Sequence, residues 1–286
     1  LIQEYTGPLR RREGGDHIDD VVSHYIGTKT NESDPLSRSI EKEHSHEEKI
    51  FGGFDVYIIG DKSSSTRDTV DGESKWQTQR RSVYLILSSL HRFEEKLKKS
   101  GIQASKDRSL NVRTETISFR GDKVSEIDTD KPLNEKFENK DKVALWHSLT
   151  KQGSGNGDVT SLQIIHNQIS EEIIKIKESG KTDNRLRVVI AMTDGYPDSV
   201  TGVHQMSEEL GKLGTVVIGI GLTETAKAVQ QIYTTKWSHG DYVKDINDLP
   251  IIVAKYVISE AMKLFPEKSK KFSSHTLSTL LATFNK

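Results

Sequence analysis

Asp61, Ser63, Ser65 and Asp194 carry the oxygen atoms best suited to chemistry in this chain. The first three follow one apolar segment directly, and Asp194 follows another such segment far down the chain. Alternate spacing along an extended turn lets Asp61 and the two serines present three oxygens toward one point. Carboxylate and hydroxyl oxygens suit Mg²⁺ or Mn²⁺, with Ca²⁺ as a further candidate, rather than zinc or copper. If the two segments are neighbours, the four side chains form a site for a hard divalent cation.

Apolar segments of strand length alternate with amphipathic helical patterns from residue 54 onward. Strands are predicted at 54–60, 110–119, 186–192 and 215–221. Helices are predicted at 78–99, 134–149, 159–178, 201–213, 224–232 and 248–264. Val- and Ile-rich strands separated by helices are typical of strands buried on both faces. The predicted fold class is therefore α/β, with a doubly wound, mostly parallel sheet flanked by helices.

Such a sheet would give the four side chains a functional position. In doubly wound sheets, ligands bind beyond the carboxyl ends of the strands, at the point where the strand order reverses. Asp61 and Asp194 each lie just past the end of a predicted strand. We therefore expect both carboxylates at the same edge of the sheet.

The ends of the chain are polar and lie outside the alternating pattern. Residues 1–50 are predicted to form an N-terminal arm with one short amphipathic helix at 16–26. Residues 51–264 form the predicted principal domain, and residues 265–286 a polar tail with a candidate short helix. The chain begins at Leu1 without methionine, so we expect a fragment of a longer protein.

Composition argues against several function classes. The 286 residues include 41 basic and 42 acidic side chains, which are interspersed and leave a formal net charge of −1. A nucleic-acid-binding domain usually concentrates basic residues on one face. The chain has no cysteine, which removes disulfides, thiolate metal sites and cysteine nucleophiles. No stretch approaches the roughly 20 apolar residues of a membrane span, so we expect neither a nucleic-acid partner nor a span.

The Asp-x-Ser-x-Ser pattern at 61–65, together with Thr-Asp-Gly at 193–195, resembles the metal-ion-dependent adhesion site of von Willebrand factor A domains. The resemblance covers about residues 50–264. In that family, two serines coordinate the ion directly and the first aspartate usually acts through water. A later aspartate and a middle-loop threonine complete the set, and the segment 157–162 nominates Thr160. The resemblance implies a metal held by Asp61, Ser63, Ser65, Thr160 and Asp194.

Shorter patterns resemble one branch of that superfamily. An Ile-Asp-containing helix upstream of the metal strand, Thr-Asp-Gly-x-Pro-Asp at 193–198 and Asp-Leu-Pro at 248–250 are similar to nitric-oxide-reductase activation proteins and cobalt-chelatase large subunits. Those proteins work beside hexameric AAA+ ATPases of the MoxR or chelatase type. The resemblance implies a cytoplasmic, non-enzymatic module whose bound metal accepts an Asp or Glu of a partner protein.

Two enzymatic alternatives stay open. The chain can be a subunit of a metal chelatase complex, in which it passes ATPase-driven movement to a catalytic partner. A hydrolase that uses the metal to activate water is less favoured, because no general base is placed beside Asp61. A phosphatase with an aspartate nucleophile is disfavoured, since the second carboxylate that it needs would stand at Ser63. No catalytic residue is assigned.

Overall fold

The computed structural model describes residues 4–5, 46–47, 52–70, 72–100, 111–150 and 153–262. The chain divides into two units, residues 1–49 and 50–286. In the first unit, Glu4–Tyr5 pairs in antiparallel fashion with His46–Glu47. The predicted arm helix and C-terminal tail lie outside the described residues.

Within the described part of the second unit, six strands form one mixed sheet. They are β1 (Gly53–Asp61), β2 (Asn111–Phe119), β3 (Ile127–Asn134), β4 (Arg185–Thr193), β5 (Thr215–Gly221) and β6 (Ser238–Tyr242). Their order across the sheet is β6-β5-β4-β1-β2-β3, and only the pair of β2 and β3 is antiparallel. A small hairpin pairs Thr69–Val70 with Glu73–Ser74. The strand order confirms the predicted doubly wound, mostly parallel α/β fold.

Helices connect the strands on both sides of the sheet. In the described residues they are α1 (Lys75–Ser100), α2 (Asn139–Ser148), α3 (Asp158–Glu178), α4 (Val200–Lys212), α5 (Ala228–Ile232) and α6 (Leu249–Met262). Short 3₁₀ turns cover Ser64–Arg67, Val124–Glu126, Glu224–Ala226 and Ile246–Asp248. None of the described helices combines the length and apolar character needed to cross a membrane.

Alternate residues of β1 face opposite sides of the sheet. Phe54, Val56 and Ile58 pack in a core with residues of α1, α2 and α6. Tyr57 and Ile59 pack in a second core with residues of α3, α4 and α5. This burial on both faces explains why β1 is an almost unbroken apolar run in the sequence.

The prediction of a helix at 134–149 is wrong at its N-terminal end. Helix α2 covers only Asn139–Ser148, and Ile127–Asn134 forms the edge strand β3. The strand is hard to predict because it contains charged residues that are buried, among them Asp130 and Lys131. Its ladder with β2 is also irregular, which disturbs the period-two pattern of a strand.

Candidate metal centre

The two strands that lead to the predicted site are neighbours. β1 and β4 are adjacent and parallel, with Ile59 paired to Ala191. The chain passes from β1 to β2 and β3 on one side and then to β4 on the other, so the strand order reverses between β1 and β4. Asp61 is the last residue of β1, and Asp194 follows β4 directly. The topology brings both carboxylates to the position where doubly wound sheets bind ligands.

The Asp61 carboxylate holds the ends of the two strands together. Its Oδ1 accepts a hydrogen bond from the backbone N–H of Ser63 at 2.7 Å. Its Oδ2 accepts from Thr193 Oγ1 at 3.2 Å and from the backbone N–H of Asp194 at 3.3 Å. Asp61 therefore orients both segments that carry the other predicted ligands.

Ser63, Ser65 and Asp194 form a hydrogen-bonded row. The hydroxyl oxygens of the two serines are 2.9 Å apart. Ser65 donates onward to Asp194 Oδ1 at 2.7 Å. Together with the contacts of Asp61, these bonds bring four of the five predicted ligands into one cluster.

The spacing of the two serine oxygens is compatible with neighbouring corners of an octahedral ion. Because Mg²⁺–O bonds measure about 2.0–2.1 Å, oxygens on neighbouring corners of the octahedron are about 2.9 Å apart. Ser63 Oγ and Ser65 Oγ have this separation, 2.9 Å. Among the described residues, no group of three or more His, Cys, Asp or Glu side chains is arranged to hold a metal. A cation at this edge would therefore depend on the serine hydroxyls as well as the carboxylates.

Thr160, the fifth predicted ligand, makes a different contact. It lies in the first turn of α3, and its Oγ1 donates to the backbone carbonyl of Asp122 at 2.7 Å. Its hydroxyl has no described hydrogen bond to the other four side chains. Asn156, in the loop before α3, donates to the carbonyl of Tyr196 at 2.7 Å and so contacts the segment that follows Asp194. The role of Thr160 as a metal ligand stays a prediction.

A second buried carboxyl lies at the start of α3. Asp158 Oδ1 accepts a hydrogen bond from the Tyr233 hydroxyl at 3.1 Å, whereas Oδ2 is buried without a partner. Burial, followed by the negative charge of Asp61, raises the pKa of Asp158 to about 8. Burial and the negative charge of Asp194 likewise raise the pKa of Asp61 to about 6. A divalent cation would relieve this crowding of buried negative charge.

Two side chains at the start of α1 complete the surroundings. Gln79 pairs with the backbone of Asp61 in both directions, at 2.9 and 3.1 Å. Lys75 Nζ donates to Asp194 Oδ2 at 2.9 Å. The sequence offers a signal for Gln79, because it lies one turn before Val83 on the buried face of the helix. A single lysine has no such pattern, so Lys75 is found only through the structure.

Lys62 attaches the same loop to the edge strand β3. Its side chain is buried, and Nζ donates to Asp130 Oδ1 at 2.8 Å and to Asp128 Oδ2 at 3.1 Å. The hydroxyls of Ser118 and Ser148 also donate to Asp130. The charged residues of β3 therefore support the loop that carries the predicted ligands.

Comparisons with known proteins found structural likenesses but no sequence family. No family model matches the chain, and no curated protein matches it. The structure of proximal thread matrix protein 1 from the mussel byssus is 20% identical, with a TM-score of 0.46, over 75% of this chain and 48% of that protein. The chain thus spans about half the length of the mussel protein.

Two further structures are similar to the chain. The manganese-loaded TRAP protein of Plasmodium vivax is 17% identical, with a TM-score of 0.40, over 72% of this chain and 74% of that protein. A von Willebrand factor type A protein from Catenulispora acidiphila is 11% identical, with a TM-score of 0.44, over 75% of this chain and 43% of that protein. With TM-scores below 0.5, these likenesses assign neither a family nor a ligand to the chain.

Proposed function

We propose that residues 51–264 form a von Willebrand A-type module that binds one divalent cation, Mg²⁺ or Mn²⁺, and through it a carboxylate of a partner protein. The observation that carries the proposal is the row of Ser63, Ser65 and Asp194 at the reversal of the strand order. A bound ion would supply a Lewis-acidic position for an outside anion.

Some of the chain's residues would bind the ion, and others would position those ligands. Ser63 and Ser65 would offer hydroxyl oxygens, and Asp194 a carboxylate oxygen. Asp61 would keep these donors in place through its bonds to the two loops. Thr160 would join them only by giving up its bond to the Asp122 carbonyl.

Access from solvent favours recognition of a partner. Ser65 is exposed, whereas Asp61 and Asp194 are buried. An ion held between them would be covered by the protein on the side of the carboxylates and of the buried Ser63, and open on the side of Ser65. An Asp or Glu side chain of a partner is the natural ligand for such an open position, because hard cations prefer oxygen donors.

We propose binding rather than catalysis at this site. The described side chains that hydrogen-bond to Asp61, Ser63, Ser65 or Asp194 include no histidine or glutamate to serve as a general base. Both carboxylate oxygens of Asp61 already accept hydrogen bonds from the protein. Thr66 and Thr193 contribute hydroxyls, and Lys75 is engaged with Asp194. A metal-dependent hydrolase would need a group placed to take a proton from water.

The finer proposal concerns the partner. An AAA+ ATPase of the MoxR type, or its client, in the cytoplasm is favoured only by sequence patterns: the Ile-Asp-containing segment upstream of the metal strand and the segments 193–198 and 248–250. A chelatase subunit would engage a related ATPase and pass its movement to a catalytic subunit. These two proposed partners can be distinguished by whether the captured complex contains a chelatase.

Capture of the partner tests the proposed function. The immobilised chain is mixed with an extract of its native host in Mn²⁺ or in EDTA, and bound proteins are identified by mass spectrometry. We expect an AAA+ ATPase or its client to be retained in Mn²⁺, lost in EDTA and regained when Mn²⁺ is restored.

Two variants make this test specific. Asp61→Asn should lose the partner in Mn²⁺, because it removes a negative charge near the ion and one of the two acceptor oxygens that orient the loops. Thr182→Ala removes an exposed hydroxyl just before β4, at the opposite edge of the sheet, and should retain the partner. Capture that is indifferent to chelation would contradict the proposal.

A further inference from the structure

Lys75 places a positive charge directly on a predicted metal ligand. It is the first residue of α1, and its side chain is only 9% exposed. Its Nζ lies 2.9 Å from Asp194 Oδ2 and 3.7 Å from Asp68 Oδ2. The Asp68 side chain is 72% exposed, so water screens its attraction for the ammonium. Asp194 is therefore the principal partner of Lys75.

The ion pair uses the same carboxylate that the metal would use. Asp194 Oδ1 already accepts from Ser65, and Oδ2 accepts from Lys75. A buried ammonium is costly unless it is paired, which keeps Lys75 on Asp194 in the metal-free protein. A divalent cation bound beside Asp194 would repel this ammonium across a short distance in a poorly solvated site.

We propose that Lys75 is an internal cation that competes with the divalent ion for Asp194 and so weakens metal binding by the site. The inference rests on the proposed metal-binding function and adds a regulating residue to it. Lys75 stabilises the metal-free form, and the metal must displace or share its partner. The site therefore fills at higher metal concentrations than it would if its affinity depended on the oxygen donors alone.

Removing the ammonium should affect the stability of the metal-free and metal-bound forms differently. Lys75→Met leaves Asp194 without its cation, so the metal-free protein should unfold at a lower temperature than the wild type. In saturating Mn²⁺ the ion replaces the lost charge, and this difference should shrink or reverse. A lysine with only a packing role would lower the unfolding temperature equally in both conditions.

Calorimetric titration with Mn²⁺ tests the competition directly. We expect Lys75→Met to bind Mn²⁺ about tenfold more tightly than the wild type, since a repulsive charge is removed. Lys75→Arg keeps the charge and should stay within about threefold of the wild type. Lys181→Met removes a lysine that is exposed just before β4, at the opposite edge of the sheet, and should leave the affinity unchanged.

The outcomes separate this inference from the proposed function. Unchanged or weaker Mn²⁺ binding by Lys75→Met, with normal binding by the wild type, would overturn the role of Lys75 alone. Absence of binding by the wild type and all variants would overturn both proposals. If Lys75→Met does not fold, Lys75→Gln provides a neutral side chain that can still donate to Asp194, and its affinity decides the question in the same way.

Discussion

At the level of single residues, Asp61 and Asp194 differ in how their charge is balanced. Asp194 is paired with the Lys75 ammonium, whereas Asp61 receives hydrogen bonds from neutral donors only. Burial and the charge of Asp194 raise the pKa of Asp61 to about 6. The folded, metal-free chain therefore holds a proton on Asp61 more tightly than the unfolded chain does. The stability from this group is present at low pH and is lost as the pH rises through about 6.

The same raised pKa predicts that Mn²⁺ affinity depends on pH. Because a divalent ion close to Asp61 favours the ionised carboxylate and so releases its proton, the affinity should fall by roughly tenfold per pH unit below about pH 6. Above pH 7 the contribution of this group should level off. Titration calorimetry between pH 5 and 8, in buffers with different ionisation enthalpies, would measure both the affinity and the protons released. A constant affinity between pH 5 and 7, without proton release, would contradict the assignment.

At the level of elements, the loop after β1 depends on the antiparallel edge strand β3. Lys62 bridges from that loop to Asp128 and Asp130, and Asp130 is buried. The backbone N–H of Lys62 also donates to the Phe119 carbonyl of β2. The loop is therefore held from two neighbouring strands of the sheet.

Lys62→Met should strongly destabilise the domain. It leaves the Asp130 carboxylate buried without its cation, and breaking such a pair costs about 3–5 kcal/mol. Urea unfolding of the wild type and the variant would measure the loss. The double variant Lys62→Met/Asp130→Asn is the control, because a neutral amide removes the unpaired buried charge. It should recover part of the lost stability. A single variant within about 0.5 kcal/mol of the wild type, as is usual for surface changes, would rule out this role.

The predictability of each element follows from its surroundings. β1 and β4 are buried on both faces and therefore show continuous apolar runs. These runs are enough to predict both strands and the residues at which they end. β3 is not predicted, because a buried charge on it has its partner on another segment: Asp130 Oδ1 accepts from Lys62 Nζ, in the loop after β1, at 2.8 Å. Such pairing is invisible in the local sequence.

At the level of the whole molecule, doubly wound topology accounts for the location of the site. Asp61 and Asp194 are 133 residues apart in the chain, and the reversal between β1 and β4 brings them together. The spacing of Asp61, Ser63 and Ser65 predicts a cluster of oxygens from the sequence alone, because these residues are close neighbours in one turn. The contact of Lys75 with Asp194 could not be predicted from the sequence, since the two residues are 119 positions apart and no sequence pattern marks the lysine.

Ser63, Ser65 and Asp194, oriented by Asp61, are proposed to bind one divalent ion. Calorimetric titration of Mn²⁺ would compare the wild type, the double variant Ser63→Ala/Ser65→Ala and the control Thr182→Ala, whose exposed hydroxyl lies at the opposite edge of the sheet. We predict one ion per chain for the wild type and the control. The double variant should lose at least about tenfold in affinity, because it lacks two oxygen donors. Identical isotherms for the wild type and the double variant would contradict the claim.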